Sequence, residues 1–318
     1  MSTMENTMEN AHKGFIPVML TPFLSNGKID YNGLTQITET YLQAGASGLF
    51  SNCLSSEMFE LSPEERIQVI RHVVKVVNGS VPVVATGTFG GAIAEQADFV
   101  KKVSDCGVEA VIAITCLLAD ENESDVVFND RVYDLLKQTD QIPIGFYECP
   151  VPYKRVLKPR QLADLVSTGR VIYHKDTSLD LLQIKQKLAL TENHAFGLYD
   201  AYMGHAVESL KAGSSGLSCI QGNYFPELIV WLCDHYDDEG LREEVALVQQ
   251  FLINNMEAMH TIYPVVSKYF LQKRGLNIST YTRRNVGELT SEVVKAVNIL
   301  FDDYATLSSD LNIRALLS

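Results

Sequence analysis

Lys175 and its surroundings carry the clearest chemical signal in this sequence. The residue closes an apolar run, residues 171–175, that otherwise has the composition of a buried strand. Alternation along a strand places Val171 and Lys175 on one face and His174 on the other. A lysine facing the inside of a barrel loses hydration, which lowers its pKa, and a neutral amine attacks carbonyl groups to form Schiff bases. An ion pair with Asp176, or with an acid on a loop, is the alternative that this strand leaves open.

Tyr147 ends the apolar run that precedes the one carrying Lys175. If the two runs are neighbouring strands, both side chains reach one pocket. A phenol beside an imine-forming lysine can move the protons that carbinolamine formation and C–C bond cleavage require. Taken alone, Tyr147 fits a wall residue equally well.

Eight short apolar runs must position these residues, and amphipathic stretches of helical period separate them. Strands that are apolar on both faces and alternate with helices indicate a parallel sheet, and eight such units predict a closed (β/α)8 barrel. A doubly wound open sheet is the alternative, and no Gly-x-Gly-x-x-Gly follows the first run to support it. The runs are Ile16–Leu20, Ser47–Asn52, Val81–Thr86, Ala110–Thr115, Ile142–Tyr147, Val171–Lys175, Ala195–Tyr199 and Gly216–Ile220.

The chain divides into three parts. Residues 1–13 contain a tandem Thr-Met-Glu-Asn repeat and are expected to form a mobile arm. Residues 14–224 hold the eight units of the barrel, and residues 225–318 form a helical extension packed on it. Helices in the extension are predicted over 228–236, 241–260, 261–274 and 291–304.

Two features of the extension have simple interpretations. Its large apolar side chains, among them Met256 and Tyr263, fit packing against the barrel, as do Trp231 and Phe251. Residues 281–284, Tyr-Thr-Arg-Arg, form a basic cluster that is too small to recruit nucleic acid.

Charge and composition exclude several classes of protein. The 318 residues carry 39 acids against 26 bases, a net charge of −13, which argues against nucleic-acid binding. No apolar run reaches the roughly 18 residues of a membrane span, so no membrane partner is expected. The polar N-terminus lacks the features of a signal peptide, so the expected location is the cytoplasm.

Metal chemistry is not indicated either. The six cysteines lack CxxC or His-pair spacing, so they are expected to be packing residues in a reducing compartment rather than zinc ligands. A metal-dependent barrel lyase would need inward histidines at strand ends. His174 is the histidine closest to such an end, and alternation turns it away from the interior.

Active sites of such barrels lie at the C-terminal ends of the strands, so polar side chains there are candidates for binding a substrate. The candidates are Thr21, Ser55, Ser56, Asp200 and Ser218.

The two strand ends together resemble a known pattern. Tyr147-Glu148-Cys149-Pro150, followed by Lys175-Asp176-Thr177-Ser178, is similar to the Tyr-x-x-Pro and Lys-Asp-x-Ser pair of the dihydrodipicolinate synthase/N-acetylneuraminate lyase family. Thr21-Pro22-Phe23 looks like the end of that family's first strand. The resemblance implies a class I lyase or aldolase without a cofactor, in which Lys175 forms an imine with pyruvate or another 2-keto acid and Tyr147 relays the proton. It also implies a homodimer or homotetramer.

The sequence departs from that family's pattern at several positions, and each change removes a polar group of the pattern. Leu54 stands where the family has a hydroxyl residue that holds the keto acid, and residues 115–118, ending at Leu118, lack the synthases' inter-subunit tyrosine. Pro152 replaces an arginine that grips the second substrate, although Lys154 and Arg155 follow closely.

These changes make the pocket more apolar and remove groups that would bind the carboxylates of the substrates. They predict an activity other than dihydrodipicolinate synthesis and leave the second substrate open. A non-catalytic barrel that binds a keto acid or sugar acid, as a sensor or scaffold, is the alternative function.

Overall fold

Eight parallel strands form one sheet in the structure, a computed structural model that describes residues 14–313 and 316. From β2 to β8, each strand pairs with the next one along the chain, and β1 pairs with β8. A parallel bridge between Val18 and Phe50 joins the first and second units, so the barrel is closed, as predicted. The strands are β1 Gly14–Phe15, β2 Leu49–Ser51, β3 Val83–Thr86, β4 Ala110–Ile114, β5 Ile144–Tyr147, β6 Val171–Asp176, β7 Gly197–Asp200 and β8 Gly216–Leu217. The arm expected over residues 1–13 lies outside the described residues.

An α-helix follows each strand, and within residues 14–313 four more α-helices come after the last unit of the barrel. The amphipathic runs read from the sequence correspond to these helices. They are α1 Tyr31–Gln43, α2 Pro63–Val77, α3 Ile93–Ser104, α4 Asp125–Gln138, α5 Pro159–Val166, α6 Leu181–Thr191, α7 Ala206–Lys211, α8 Pro226–His235, α9 Arg242–Asn254, α10 Met256–His260, α11 Val265–Lys273 and α12 Ser291–Asp310.

The first strand is shorter and earlier than the predicted run Ile16–Leu20. Pro17 has no backbone N–H, so a regular ladder cannot continue through it. Its carbonyl still accepts a 3.0 Å hydrogen bond from the Phe50 amide, and the Met19 amide donates to the Phe50 carbonyl at 3.0 Å. This segment therefore remains part of the wall beyond β1.

A β-bulge interrupts the alternation predicted for β6. The register passes from Ile144 opposite Val171 to Gly145 opposite Tyr173, so Ile172 is an extra residue. Val171 packs in the layer between barrel and helices, whereas Tyr173 packs inside the barrel. The expectation that Val171 shares a face with Lys175 was wrong, because the bulge resets the alternation before the strand reaches its functional end.

The eighth helix completes the barrel. Helix α8 packs against β1, β8 and α1, so it holds the position of the barrel's last helix. We propose on this packing that the extension starts after His235, whereas the sequence analysis begins it at residue 225. The predicted helix 241–260 is two helices, since α9 ends at Asn254 and α10 begins at Met256. Within the described residues, no helix is both long and apolar enough to span a bilayer.

Candidate active site

A cavity of about 260 Å³ opens at the C-terminal end of the barrel. The barrel supplies Lys175 and Tyr147 from the ends of β6 and β5, and Leu54 and Ser55 from the turn after β2. The extension supplies other lining side chains, from α10, from the α10–α11 connection and from the loop after α11. The remaining lining residues are Pro150, Thr177, Leu179, Ala201, Tyr202, Met203, Ile220, Gln221, Met256, His260, Tyr263, Pro264 and Arg284.

Lys175 lies in this cavity with no counter-ion from the part of the chain that the structure describes. Its side chain is only 4 % exposed, and Nζ lies 4.3 Å from the centre of the Tyr147 ring. Among the described residues, none forms a salt bridge with it, because Asp176 binds the Lys187 ammonium instead at 2.6 Å. Burial lowers the pKa of Lys175. The alternative of a Lys175–Asp176 ion pair was therefore wrong.

Three cysteine thiols, from Cys53, Cys149 and Cys219, are close enough to influence Lys175 electrostatically. As thiolates they would hold the lysine in its charged form. Burial raises the pKa of Cys149 and that of Cys219 to about 12, so both remain neutral thiols near pH 7. These two neighbours of the lysine are therefore uncharged, which favours its neutral, nucleophilic form.

Tyr147 is a buried phenol on the neighbouring strand. Its Cα is paired in register with that of Lys175, and its ring packs edge-on against Phe50 with the ring centres 5.8 Å apart. Burial raises the pKa of Tyr147 well above its usual value, and a hydrogen bond with Cys149 acts in the same direction. At neutral pH the hydroxyl keeps its proton and can donate it.

An ion cluster on the outer side of the barrel fixes both strand ends. Glu148 follows Tyr147, Asp176 follows Lys175, and Lys187 of α6 donates to both carboxylates at 2.8 and 2.6 Å. Glu148 also accepts from the Thr177 amide at 2.9 Å, which ties the loop after β5 to the loop after β6. The side chains preceding these carboxylates point the other way, into the cavity, so the cluster positions the lysine and the phenol from behind.

His174 belongs to this outer cluster, as the alternation predicted. Its Nε2 lies 3.2 Å from Glu148 and 3.6 Å from Asp176. Burial opposes a charge on the ring, but the two carboxylates outweigh burial and raise the pKa of His174. Glu148, His174 and Asp176 carry metal-ligand atoms close to one another. The Lys187 ammonium contacts both carboxylates and offsets one of their two negative charges.

Replacing Lys187 by Met is expected to lower the free energy of unfolding by about 3–5 kcal/mol, because two buried carboxylates lose their ammonium partner. Urea unfolding measures the loss. Lys185→Met is the matched control, since Lys185 is exposed on the same helix, and its stability should remain close to that of the wild type. Equal stability of the two variants would contradict a structural role for the cluster.

The predicted binding residues near the first two strands have different surroundings. Ser55 lines the cavity and forms a hydrogen bond with Tyr263. Ser56 is turned inward and donates to the Met19 carbonyl at 2.6 Å. Thr21 is fully buried outside the cavity lining, and its hydroxyl has no hydrogen-bond partner within the described part of the chain.

Asp200, at the end of β7, and Ser218, just after β8, are predicted binding residues that also lie outside the cavity lining. Ser218 accepts a hydrogen bond from Tyr173 at 3.3 Å. Asp200 is buried with an oxygen 3.0 Å from His205 Nε2, and it accepts from the Tyr202 amide at 2.9 Å. Both side chains therefore already contact other protein groups.

The extension contributes cavity residues that sequence reasoning assigned to other roles. Met256 and Tyr263, interpreted as packing residues, line the cavity, and so does Arg284 of the basic cluster. Tyr263 accepts a 2.6 Å hydrogen bond from Asn223, and burial raises its pKa. No local pattern indicates where the extension docks. The two arginines at 283 and 284 could have indicated a ligand site, but the sequence analysis considered them only for nucleic-acid binding.

The departures from the expected pattern also have definite positions. Leu54 lines the cavity, so an aliphatic group occupies the place of a hydroxyl. Lys154 donates to the Thr177 carbonyl at 2.8 Å, and Arg155 binds Asp125 at 3.3 Å. Both cations thus contact other protein groups, and Pro152, in the place of the arginine, borders a separate cavity.

The fold and this pocket define a class of protein: a parallel eight-stranded barrel with a desolvated lysine and a phenol at its mouth is the framework of class I aldolases and lyases. The chain belongs to the Dihydrodipicolinate synthetase family, whose profile matches residues 11–302. The resemblance read from the sequence is thereby confirmed, and members of this family are lyases or aldolases.

Individual relatives are distant. A 4-hydroxy-tetrahydrodipicolinate synthase from Shewanella piezotolerans is 26% identical over 280 residues, which cover 88% of this chain and 94% of the relative. A prophage protein of the dihydrodipicolinic acid synthase family from E. coli K12, solved with pyruvate, superposes with a TM-score of 0.80 at 21% identity, covering 95% and 99% of the two chains. CdNal from Clostridium difficile, solved with mannosamine, gives 0.81 at 18% identity, covering 92% and 99%. These structures show a shared fold.

Proposed function

We propose that this protein is a Schiff-base aldolase or lyase that acts on pyruvate or another 2-keto acid through Lys175. The observation that carries the proposal is the environment of that lysine. It is buried in a cavity at the barrel mouth, beside the Tyr147 ring, and no acid of residues 14–313 is paired with it. Family membership gives the proposal its reaction class.

The chemistry follows from a neutral amine. The lone pair of Lys175 Nζ attacks the keto carbon, and the carbonyl oxygen takes a proton to give a carbinolamine. Loss of water leaves the imine, whose positive nitrogen draws electrons from the neighbouring carbon as that carbon loses a proton or breaks a C–C bond. The enamine so formed can take up a proton or attack an aldehyde, and water then releases the product and restores the lysine.

Tyr147 is proposed to hold and pass these protons. Its raised pKa keeps the hydroxyl protonated until the departing oxygen needs a proton. Ser55 and Tyr263 are hydroxyl groups lining the same cavity, and their mutual hydrogen bond offers further donors to a bound keto acid.

We propose a reaction other than dihydrodipicolinate synthesis, because the cavity replaces polar ligands by apolar ones. Leu54 cannot donate to a carboxylate, and Lys154 and Arg155 are bound to other groups. Losing one charge-assisted hydrogen bond costs about 1.5–3 kcal/mol, or one to two decades of affinity.

Borohydride reduction in the presence of pyruvate tests this function. We expect the protein to gain the mass of pyruvate less water plus two hydrogens, and peptide mass spectrometry to place the adduct on Lys175. Lys185→Ala should trap as the wild type does, whereas Lys175→Ala should not trap. A folded wild-type sample that traps neither pyruvate, 2-oxobutyrate nor a keto sugar acid would contradict the proposal.

The same samples separate catalysis from simple binding. Leu54 in the position of a hydroxyl favours the alternative of a barrel that binds a keto acid without turnover. A ligand that binds the folded state raises the melting temperature. If pyruvate stabilises wild type and Lys175→Ala equally and no adduct forms, the protein is a binding barrel.

A further inference from the structure

Arg284 lines the cavity, and its guanidinium has no partner among the described residues. It lines the same cavity as Lys175 and is partly buried. Its amide donates to Glu57 at 2.9 Å, but its guanidinium makes no hydrogen bond or salt bridge with any residue that the structure describes. A guanidinium has five donors in a planar fork, which fits carboxylate and phosphate oxygens.

The neighbouring basic residues differ from Arg284 because each is already satisfied. Arg283 forms two hydrogen bonds to Glu65, at 2.7 and 2.6 Å. Lys268 is fully buried and donates to Glu57 at 2.9 Å. Of the basic cluster, Arg284 is thus the residue with donors left for a ligand.

The backbone that carries Arg284 is held firmly. Glu57 lies in the turn after β2 and accepts from the amides of Arg283 and Arg284 at 2.7 and 2.9 Å. The same carboxylate binds Lys268 of α11, so one buried group joins the barrel mouth to the extension. A fixed backbone reduces the ordering cost when the side chain binds a ligand.

The cavity as a whole suits an anion. Among the described residues that line it there is no Asp and no Glu, although the chain carries a net charge of −13. Lys175, Arg284 and the exposed His260 are its ionisable nitrogen groups. A pocket that excludes acids from an acidic protein favours negatively charged ligands.

We propose that the second substrate, or the aldehyde released in the cleavage direction, carries an anionic group that Arg284 binds, either a carboxylate or a phosphate. This inference rests on the proposed function and assigns to Arg284 the binding of the part of the substrate that does not form the imine. It places the specificity of the enzyme in the extension rather than at Pro152.

Calorimetric titration tests the site without turnover. Succinate and inorganic phosphate are the anionic probes, and butyrate is the probe with one carboxylate fewer. We expect Arg284→Gln to weaken the binding of succinate, phosphate or both by about 10- to 100-fold, and Arg284→Lys to recover part of the loss. Arg160→Gln, an exposed arginine on α5, should match the wild type. The anion whose affinity falls more in Arg284→Gln identifies the group that Arg284 prefers.

Turnover with matched aldehydes completes the test. With pyruvate as donor, Arg284→Gln should lower kcat/KM for succinic semialdehyde by about 10- to 100-fold and that for butanal by less than about twofold. Anion binding that is unaffected by Arg284→Gln, or absent from the wild type at millimolar probe, overturns the inference. If pyruvate fails to trap on Lys175 while Arg284-dependent binding persists, the aldolase proposal fails and the anion site stands.

Discussion

Replacing Lys175 by Met is expected to abolish turnover and, near neutral pH, to raise the free energy of unfolding. The variant keeps the length and apolar character of the side chain and loses the nucleophile, so activity should fall by at least about 10⁴-fold. Because an ammonium without a partner is costly in a buried site, its removal should stabilise the fold by about 1 kcal/mol. Loss of activity together with a gain in stability separates a chemical role from a structural one.

The stability gain should depend on pH in a defined direction. The pKa of Lys175 is lowered in the folded protein, whereas in the unfolded chain it is close to the ordinary lysine value of about 10.4. Between these two values the unfolded state binds more protons, so the free energy of unfolding of the wild type rises with pH relative to that of Lys175→Met. The advantage of the variant is therefore largest below this window and disappears above about pH 10.4.

Urea unfolding of both proteins across that pH range measures the effect. Lys185→Met, which removes an exposed lysine, should differ from the wild type by a constant amount. A Lys175→Met variant that is less stable than the wild type at neutral pH would show that the ammonium has a favourable partner, and would contradict a neutral, nucleophilic lysine.

The barrel could be predicted from the sequence because it depends on local patterns, whereas the lysine–tyrosine pair was selected by its resemblance to a family pattern. Apolar runs of strand length alternate with amphipathic helices, and Tyr147 and Lys175 each end such a run. Neighbouring strands in a parallel barrel end at one rim, so their order alone brings the two side chains together. Pro17 shortened the first strand and the bulge at Ile172 changed the alternation of the sixth, but neither moved Tyr147 or Lys175 away from this rim.

The other half of the cavity could not be predicted because it depends on contacts between residues far apart in the chain. Glu57 binds Lys268 across more than 200 positions, and that contact brings the loop with Arg284 to the barrel mouth. Met256 and Tyr263 have the composition of packing residues, and nothing in their own segment shows that one face meets a cavity. Asp200 was a reasonable candidate at a strand end, yet His205 lies close enough to engage it behind the wall.

Replacing Tyr147 by Phe is expected to lower turnover by about 10²- to 10⁴-fold, the usual contribution of a positioned proton donor. The ring should keep its place, because its contacts with Phe50 and with Lys175 Nζ do not involve the hydroxyl. Reduction with borohydride should then still reach the same adduct at long times, although more slowly, since dehydration of the carbinolamine needs a proton. Tyr133→Phe, which alters an exposed phenol on α4, is the matched control and should behave as the wild type.

The pH profile of the wild type and of Tyr147→Phe distinguishes a proton relay from a loss of shape. Turnover requires the neutral amine, so in both proteins it should rise with pH through the lowered pKa of Lys175. The phenol has a raised pKa and stays protonated throughout that rise, so its removal should reduce the height of the profile and leave the position of the acid limb unchanged. A shift of the acid limb in Tyr147→Phe would show that the hydroxyl sets the charge of the lysine, and an unchanged height would assign the proton transfer to another hydroxyl of the cavity, with Tyr263 the first to test.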